Sequence, residues 1–167
     1  MLYNDTTIAT FNIFLGNALK IESPKHEKWV DWLTSNSAKF ERTYLLLELT
    51  LKGLRESGTD KQREVYILML SKGSIIANAY KDFKYLEKVE KLVSVFTQIL
   101  PYTNTIQDES VLGAMLGCLE GVYNKLGSRK QQTMKAQYID VLDKAFLRVK
   151  DEKLLRKISR KMEYLQQ

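Results

Sequence analysis

Residues 82–101 read DFKYLEKVEKLVSVFTQILP, and this stretch decides the fold class. Leu86, Val89, Leu92, Val93, Phe96, Ile99 and Leu100 recur every three or four residues, while Lys84, Glu87, Lys88, Glu90 and Lys91 fall between them. That period is the period of an α-helix with one apolar face turned inward and one charged face in water. Pro101 is predicted to end the helix and Tyr102–Thr105 to form the loop after it.

The same period extends in both directions. Downstream, a helix is predicted over about 107–126 with a stop at Gly127, and Ser128 opens the next one. That next helix turns Met134, Tyr138, Val141, Leu142, Ala145, Phe146 and Val149 inward, and Asp151 caps a last helix reaching about Leu165. Upstream, Thr59-Asp60 caps a helix that is apolar almost all round at Val65–Leu70 and Ile75–Ala77, which marks it as central in a core. Phe40, Tyr44, Leu47, Leu51 and Leu54 line one face of the helix before it, with Gly58 as its stop. Asp5 and Thr6 cap a first helix to about Ile21, and Ser23-Pro24 starts a short one that bears Trp29, Val30 and Leu33. No alternating strand pattern competes. The expected fold is all-α: six to eight antiparallel helices in one domain over 1–167, arranged as a bundle or a short stack of helical hairpins.

Composition agrees. Two prolines and eight glycines in 167 residues are too few turn-formers for a many-stranded fold. No stretch approaches the ~20 uncharged residues that a membrane span needs. The single cysteine, Cys118, cannot form an internal disulfide, so the expected location is a reducing, intracellular one, cytoplasm or nucleus. Cys118 itself reads as a small hydrophobe in a helix.

The residues from Tyr138 to Ile158, YIDVLDKAFLRVKDEKLLRKI, resemble a HEAT-type helical repeat. Lys150-Asp151 stands where that family has its turn, and Leu155-Arg156 where its second helix begins with an aliphatic residue and a cation. The resemblance implies a solenoid-like scaffold whose curved surface binds another macromolecule.

Signals for catalysis are sparse. The one histidine, His26, sits beside Lys25 and Glu27 on a helix face, and a single His with a single Cys cannot assemble the usual transition-metal sites. Gly53, Gly58, Gly73 and Gly127 are isolated and form no phosphate-cradling loop. Asp108-Glu109 and Asp151-Glu152 fall at helix starts, where capping and the helix dipole account for them. The expectation is therefore a non-enzymatic protein with no cofactor and no metal. An enzyme built on carboxylates from separate helices is a distant third reading.

Two features point to binding. Gly113, Gly117 and Gly121, spaced by four, make a ridge without side chains along one helix. Each glycine costs a helix interior ~1 kcal/mol relative to alanine, so three on a stripe imply a compensating contact. The ridge reads first as close packing against a helix of this chain and second as a groove for a partner helix. The other feature is charge. Residues 1–124 hold fourteen Lys and Arg against fifteen Asp and Glu, whereas 125–167 hold twelve against five. Lys153, Arg156, Lys157, Arg160 and Lys161 share one arc of the last helix, opposite Leu154, Ile158, Met162 and Leu165, and Arg148 and Lys150 precede them. These seven cations are the candidate partner-binding residues. A helical scaffold or adaptor that binds another protein is the first functional expectation, and non-specific contact with a nucleic-acid phosphate backbone is the alternative. Only Tyr164 lies near the cations, so base stacking is not expected. Trp29 and Trp32, three apart, read first as a core corner and second as an interface anchor.

Overall fold

The structure is a computed structural model that describes residues 43–167. The expected helices over 5–21 and after Pro24, with His26, Trp29 and Trp32, lie outside the described residues, as does Phe40. Within them the chain is all-α: seven α-helices, one 3₁₀ turn and no strand. The helices are α1 (Thr43–Glu56), α2 (Asp60–Ser71), α3 (Ser74–Asp82), α4 (Lys88–Thr103), α5 (Glu109–Asn124), α6 (Ser128–Arg148) and α7 (Glu152–Gln166), with the 3₁₀ turn at Tyr85–Glu87. The packing gathers into two compact units that divide between Lys88 and Val89.

In the first unit, α1 buries Leu46, Leu47, Leu51 and Leu54. The Tyr66 ring of α2 lies over Gly53, so close that a methyl group there would force the ring aside. Thr59 caps α2 as expected, its hydroxyl accepting from the Gln62 amide at 3.2 Å. The apolar run after it is two helices rather than one. Gly73 takes a left-handed φ of 78°, which breaks the helix between Ser71 and Ser74 and lets Ile75, Ile76 and Ala79 turn inward separately.

The stretch that fixes the fold class departs from its pattern at its start. Phe83 and Lys84 are extended, so the helix begins at Lys88 and leaves Tyr85 87% and Leu86 89% exposed. Val89, expected inward, is also exposed and Val93 is half-buried; the pattern holds at Leu92, Phe96, Ile99 and Leu100, which are buried, and Val95 joins them. Pro101 does not end the helix. It sits in the last turn, where its missing N–H forfeits only the bond to the Thr97 carbonyl, and α4 continues to Thr103.

The second unit closes around three rings. Phe96 meets Tyr138 edge to face at 5.3 Å, and Tyr123 lies 5.9 Å from Phe96 and 4.9 Å from Tyr138. The Tyr123 hydroxyl donates to the Gln131 carbonyl at 3.1 Å while the Gln131 amide donates back to the Tyr123 carbonyl at 2.9 Å, which ties α5 to α6. On α6 the expected inner face is buried except at Phe146, which is 40% exposed near the helix end. Asp108 and Asp151 cap α5 and α7: Asp108 accepts from Ser110 and Val111, and Asp151 from Leu154 at 2.9 Å.

Candidate binding groove

The α5 and α7 helices lie side by side and run the same way, because Gly113 faces Leu154 while Glu120, two turns on, faces Lys161. The α6 helix connects them from behind. Between α5 and α7 the surface sinks into a groove of about 640 Å3. One wall carries Gly113, Leu116, Gly117, Glu120 and Asn124; the other carries Leu154, Lys157, Ile158, Arg160, Lys161 and Tyr164; Tyr138 and Leu142 of α6 form the base.

Gly113 and Gly117 of the glycine ridge therefore stand in one wall of an opening, and Gly121 lies outside it. The ridge's expected burial against a helix of this chain holds only at Gly113, where the Leu154 methyls would meet a Cβ at 3.7 and 3.9 Å, an ordinary contact. Gly117 and Gly121 are exposed, and among the described residues no atom beyond the backbone of their own helix turn and their chain neighbours lies within 4 Å of where a Cβ would stand at either. Gly117→Ala is accordingly expected to raise stability by up to ~1 kcal/mol through helix propensity alone, read as a higher denaturant midpoint at unchanged slope. A fall in the midpoint would mean that the position is packed.

The seven candidate cations part company. Lys157, Arg160 and Lys161 line the groove. Lys153 and Arg156 are exposed outside it, and Arg156 reaches Glu152 of its own helix at 3.7 Å. Arg148 turns inward: one terminal nitrogen donates to the Thr103 carbonyl at 2.7 Å and the Ile106 carbonyl at 3.4 Å. Burial lowers its pKa, though a guanidinium stays charged at physiological pH. Lys150 lies at the α6–α7 turn, its backbone N–H given to the Glu109 carboxylate.

Lys161 is the most enclosed of the groove cations, with its side chain 14% exposed. Its ammonium lies 3.9 Å from Glu120 and over the rings of Tyr123 and Tyr164 at 5.8 and 5.2 Å, within cation–π range. Burial, then Glu120 and Tyr123, raises the pKa of the Tyr138 hydroxyl, so it remains neutral at the base of the groove. Cys118 is half-buried, and burial pushes its thiol up to about 11, which keeps it protonated at neutral pH. Among the described residues no three ligating side chains gather to hold a metal, and no helix is long and apolar enough to cross a membrane.

Sequence reading missed Glu120, Asn124, Tyr138 and Tyr164 as groove residues. A signal for the first two was present: Gly113, Gly117, Glu120 and Asn124 are spaced by four, three and four and so share a stripe. A second hollow of about 580 Å3 lies between α4 and α6, where the Asn104 side-chain oxygen is buried without a hydrogen bond and Asp140 is already held by Lys144 at 3.0 Å. No family model matches the chain, and neither a curated protein nor a solved structure matches it significantly.

Proposed function

We propose that this chain is a non-enzymatic helical scaffold or adaptor, and that the groove between α5 and α7 is where it takes hold of a protein partner. The observation that carries the reading is the joining of apolar and cationic groups in one concave surface. Leu116, Leu142, Leu154 and Ile158 line the same groove as Lys157, Arg160 and Lys161. A protein segment with apolar anchors and acidic flanks satisfies both sets, burying hydrocarbon in the depression while its carboxylates meet the cations. A phosphate backbone satisfies only the second. The resemblance of residues 138–158 to a HEAT-type repeat belongs to the same reading, since such repeats serve as binding scaffolds. The lone, half-buried Cys118 fits an intracellular setting.

The phosphate reading has one observation in its favour. Lys150, Lys153 and Arg156 are exposed outside the groove, as a row of backbone contacts would need. Two sets of substitutions separate the readings: Lys157, Arg160 and Lys161 to Gln in the groove, and Lys153 and Arg156 to Gln outside it. Both sets are expected to fold: changes at the exposed Lys153, Arg156, Lys157 and Arg160 cost less than ~0.5 kcal/mol each, and the more enclosed Lys161 forfeits a loose ion pair worth about 0–1 kcal/mol. Polyglutamate binding should fall at least tenfold (about 1.4 kcal/mol) in the groove variant and hardly change in the outer one. Random duplex DNA provides the contrast. If the outer variant instead lowers duplex affinity and shrinks the salt slope by ~0.9 per lost contact, the phosphate reading replaces this one. Unchanged binding in both variants overturns both.

A further inference from the structure

We infer that the occupant of the groove is an acidic α-helix of the partner protein, lying along α7 with its backbone close to Gly117; this rests on the groove being a protein-docking surface. Two observations select a helix over an extended segment. The groove runs along the helix axes, since both walls are helices that point the same way. Its groups on the α7 side, Lys157, then Arg160 and Lys161, then Tyr164, follow one another turn by turn, a rise of about 5.4 Å each. A helix laid alongside repeats its own side chains at that same step, so carboxylates three or four residues apart meet successive cations. An extended strand repeats its same-face side chains at about 6.6–6.8 Å and loses register by more than an ångström at each pair.

The opposite wall supplies the room. Helices pack with axes about 8–10 Å apart according to the side chains between them, and glycine permits the closest approach. Gly117 is exposed, with open space above it among the described residues. Charge selects acids for the occupant. Lys157 and Arg160 make no ion pair among the described residues, and the one acid in the groove, Glu120, faces Lys161 at 3.9 Å.

Three synthetic peptides of identical composition except for one proline test this, each about sixteen residues, long enough to hold a helix. The first sets Glu at helical spacing beside a stripe of Leu and Ala. The second permutes the same residues so that the acids surround the helix. The third is the first with Pro at its centre, which breaks the helix. Titrated against the full chain, the first is expected to bind at least tenfold tighter than the other two and to gain helical circular dichroism on binding. Gly117→Leu is expected to weaken it at least tenfold, while the variant's own melting temperature does not fall. If all three peptides bind alike and the Lys157, Arg160 and Lys161 to Gln variant weakens all of them, the groove reading survives and the helix is wrong. Equal binding of the first peptide by Gly117→Leu also rules out a helix seated on this wall. Absence of binding by every peptide overturns the helix, and polyglutamate then judges the groove separately.

Discussion

Phe96→Ala is expected to destabilise the C-terminal unit by about 3–5 kcal/mol, a large fraction of what holds a domain of this size together. The side chain is fully buried, and its ring is the member of the aromatic trio that joins α4 to both α5 and α6. Truncation removes the transfer energy of the ring and the edge-to-face contact with Tyr138, and it leaves a void in a close-packed core beside Tyr123 and Tyr138. Tyr138 also forms the base of the groove, so the same variant should lose binding along with stability. Urea unfolding followed by near-ultraviolet circular dichroism reads the effect. A loss below about 1 kcal/mol would show that the trio is not the centre of this core.

Arg148→Ala is expected to cost about 1.5–3 kcal/mol, the range for hydrogen bonds from a charged donor. Its guanidinium draws together two carbonyls from the end of α4 and the loop after it, Thr103 and Ile106, across more than forty residues of sequence. Alanine leaves the Ile106 carbonyl without this donor and the Thr103 carbonyl with only the Ile106 N–H at 3.3 Å. Lysine should recover only part of the loss, because a single hydrated ammonium on a flexible stem is a poorer match for a fixed pair of acceptors. The measurement that decides the role combines stability with binding. Well below its melting temperature, Arg148→Ala should bind polyglutamate as wild type does while unfolding at lower denaturant. Unchanged stability with weakened binding would return Arg148 to the partner-contacting set.

The sequence made the fold class legible because helical periodicity is a local property. Leu92, Phe96, Ile99 and Leu100 declare their face without knowledge of what covers it, and Thr59, Asp108 and Asp151 declare helix starts by capping chemistry alone. What failed were positions where the backbone conformation overrides the pattern. Leu86 has the right spacing, but the extended Phe83–Lys84 segment removes it from the helix. Gly73 divides an apolar run that looks continuous. Pro101 looks like a terminator and is tolerated because only the last turn lies beyond it.

The groove was half legible for a different reason. A wheel projection places Lys153, Arg156, Lys157, Arg160 and Lys161 on one arc, yet the neighbouring α5 splits that arc, taking three of them into the groove and leaving two outside. The glycine stripe was visible, but its openness depends on how far apart α5 and α7 stand, which no local pattern encodes. Arg148 looked like a free cation because its acceptors are main-chain carbonyls, invisible in a list of side chains.

The start of α5 supplies the clasp that sets this separation. The Glu109 carboxylate receives the backbone N–H groups of both Lys150 and Asp151, and Asp151 in turn caps α7, so the leading ends of the two helices are riveted together. At the trailing end the two walls are joined by the 3.9 Å approach of Lys161 to Glu120, a looser fastening in which a long, pliant side chain can give. The two fastenings differ in kind: main-chain hydrogen bonds at the Glu109 end, a single long ion pair at the Tyr164 end. Ile158 and Leu165, both buried, add apolar anchors along the rest of α7, so the width of the opening is set by main-chain hydrogen bonds at one end and by hydrocarbon packing at the other.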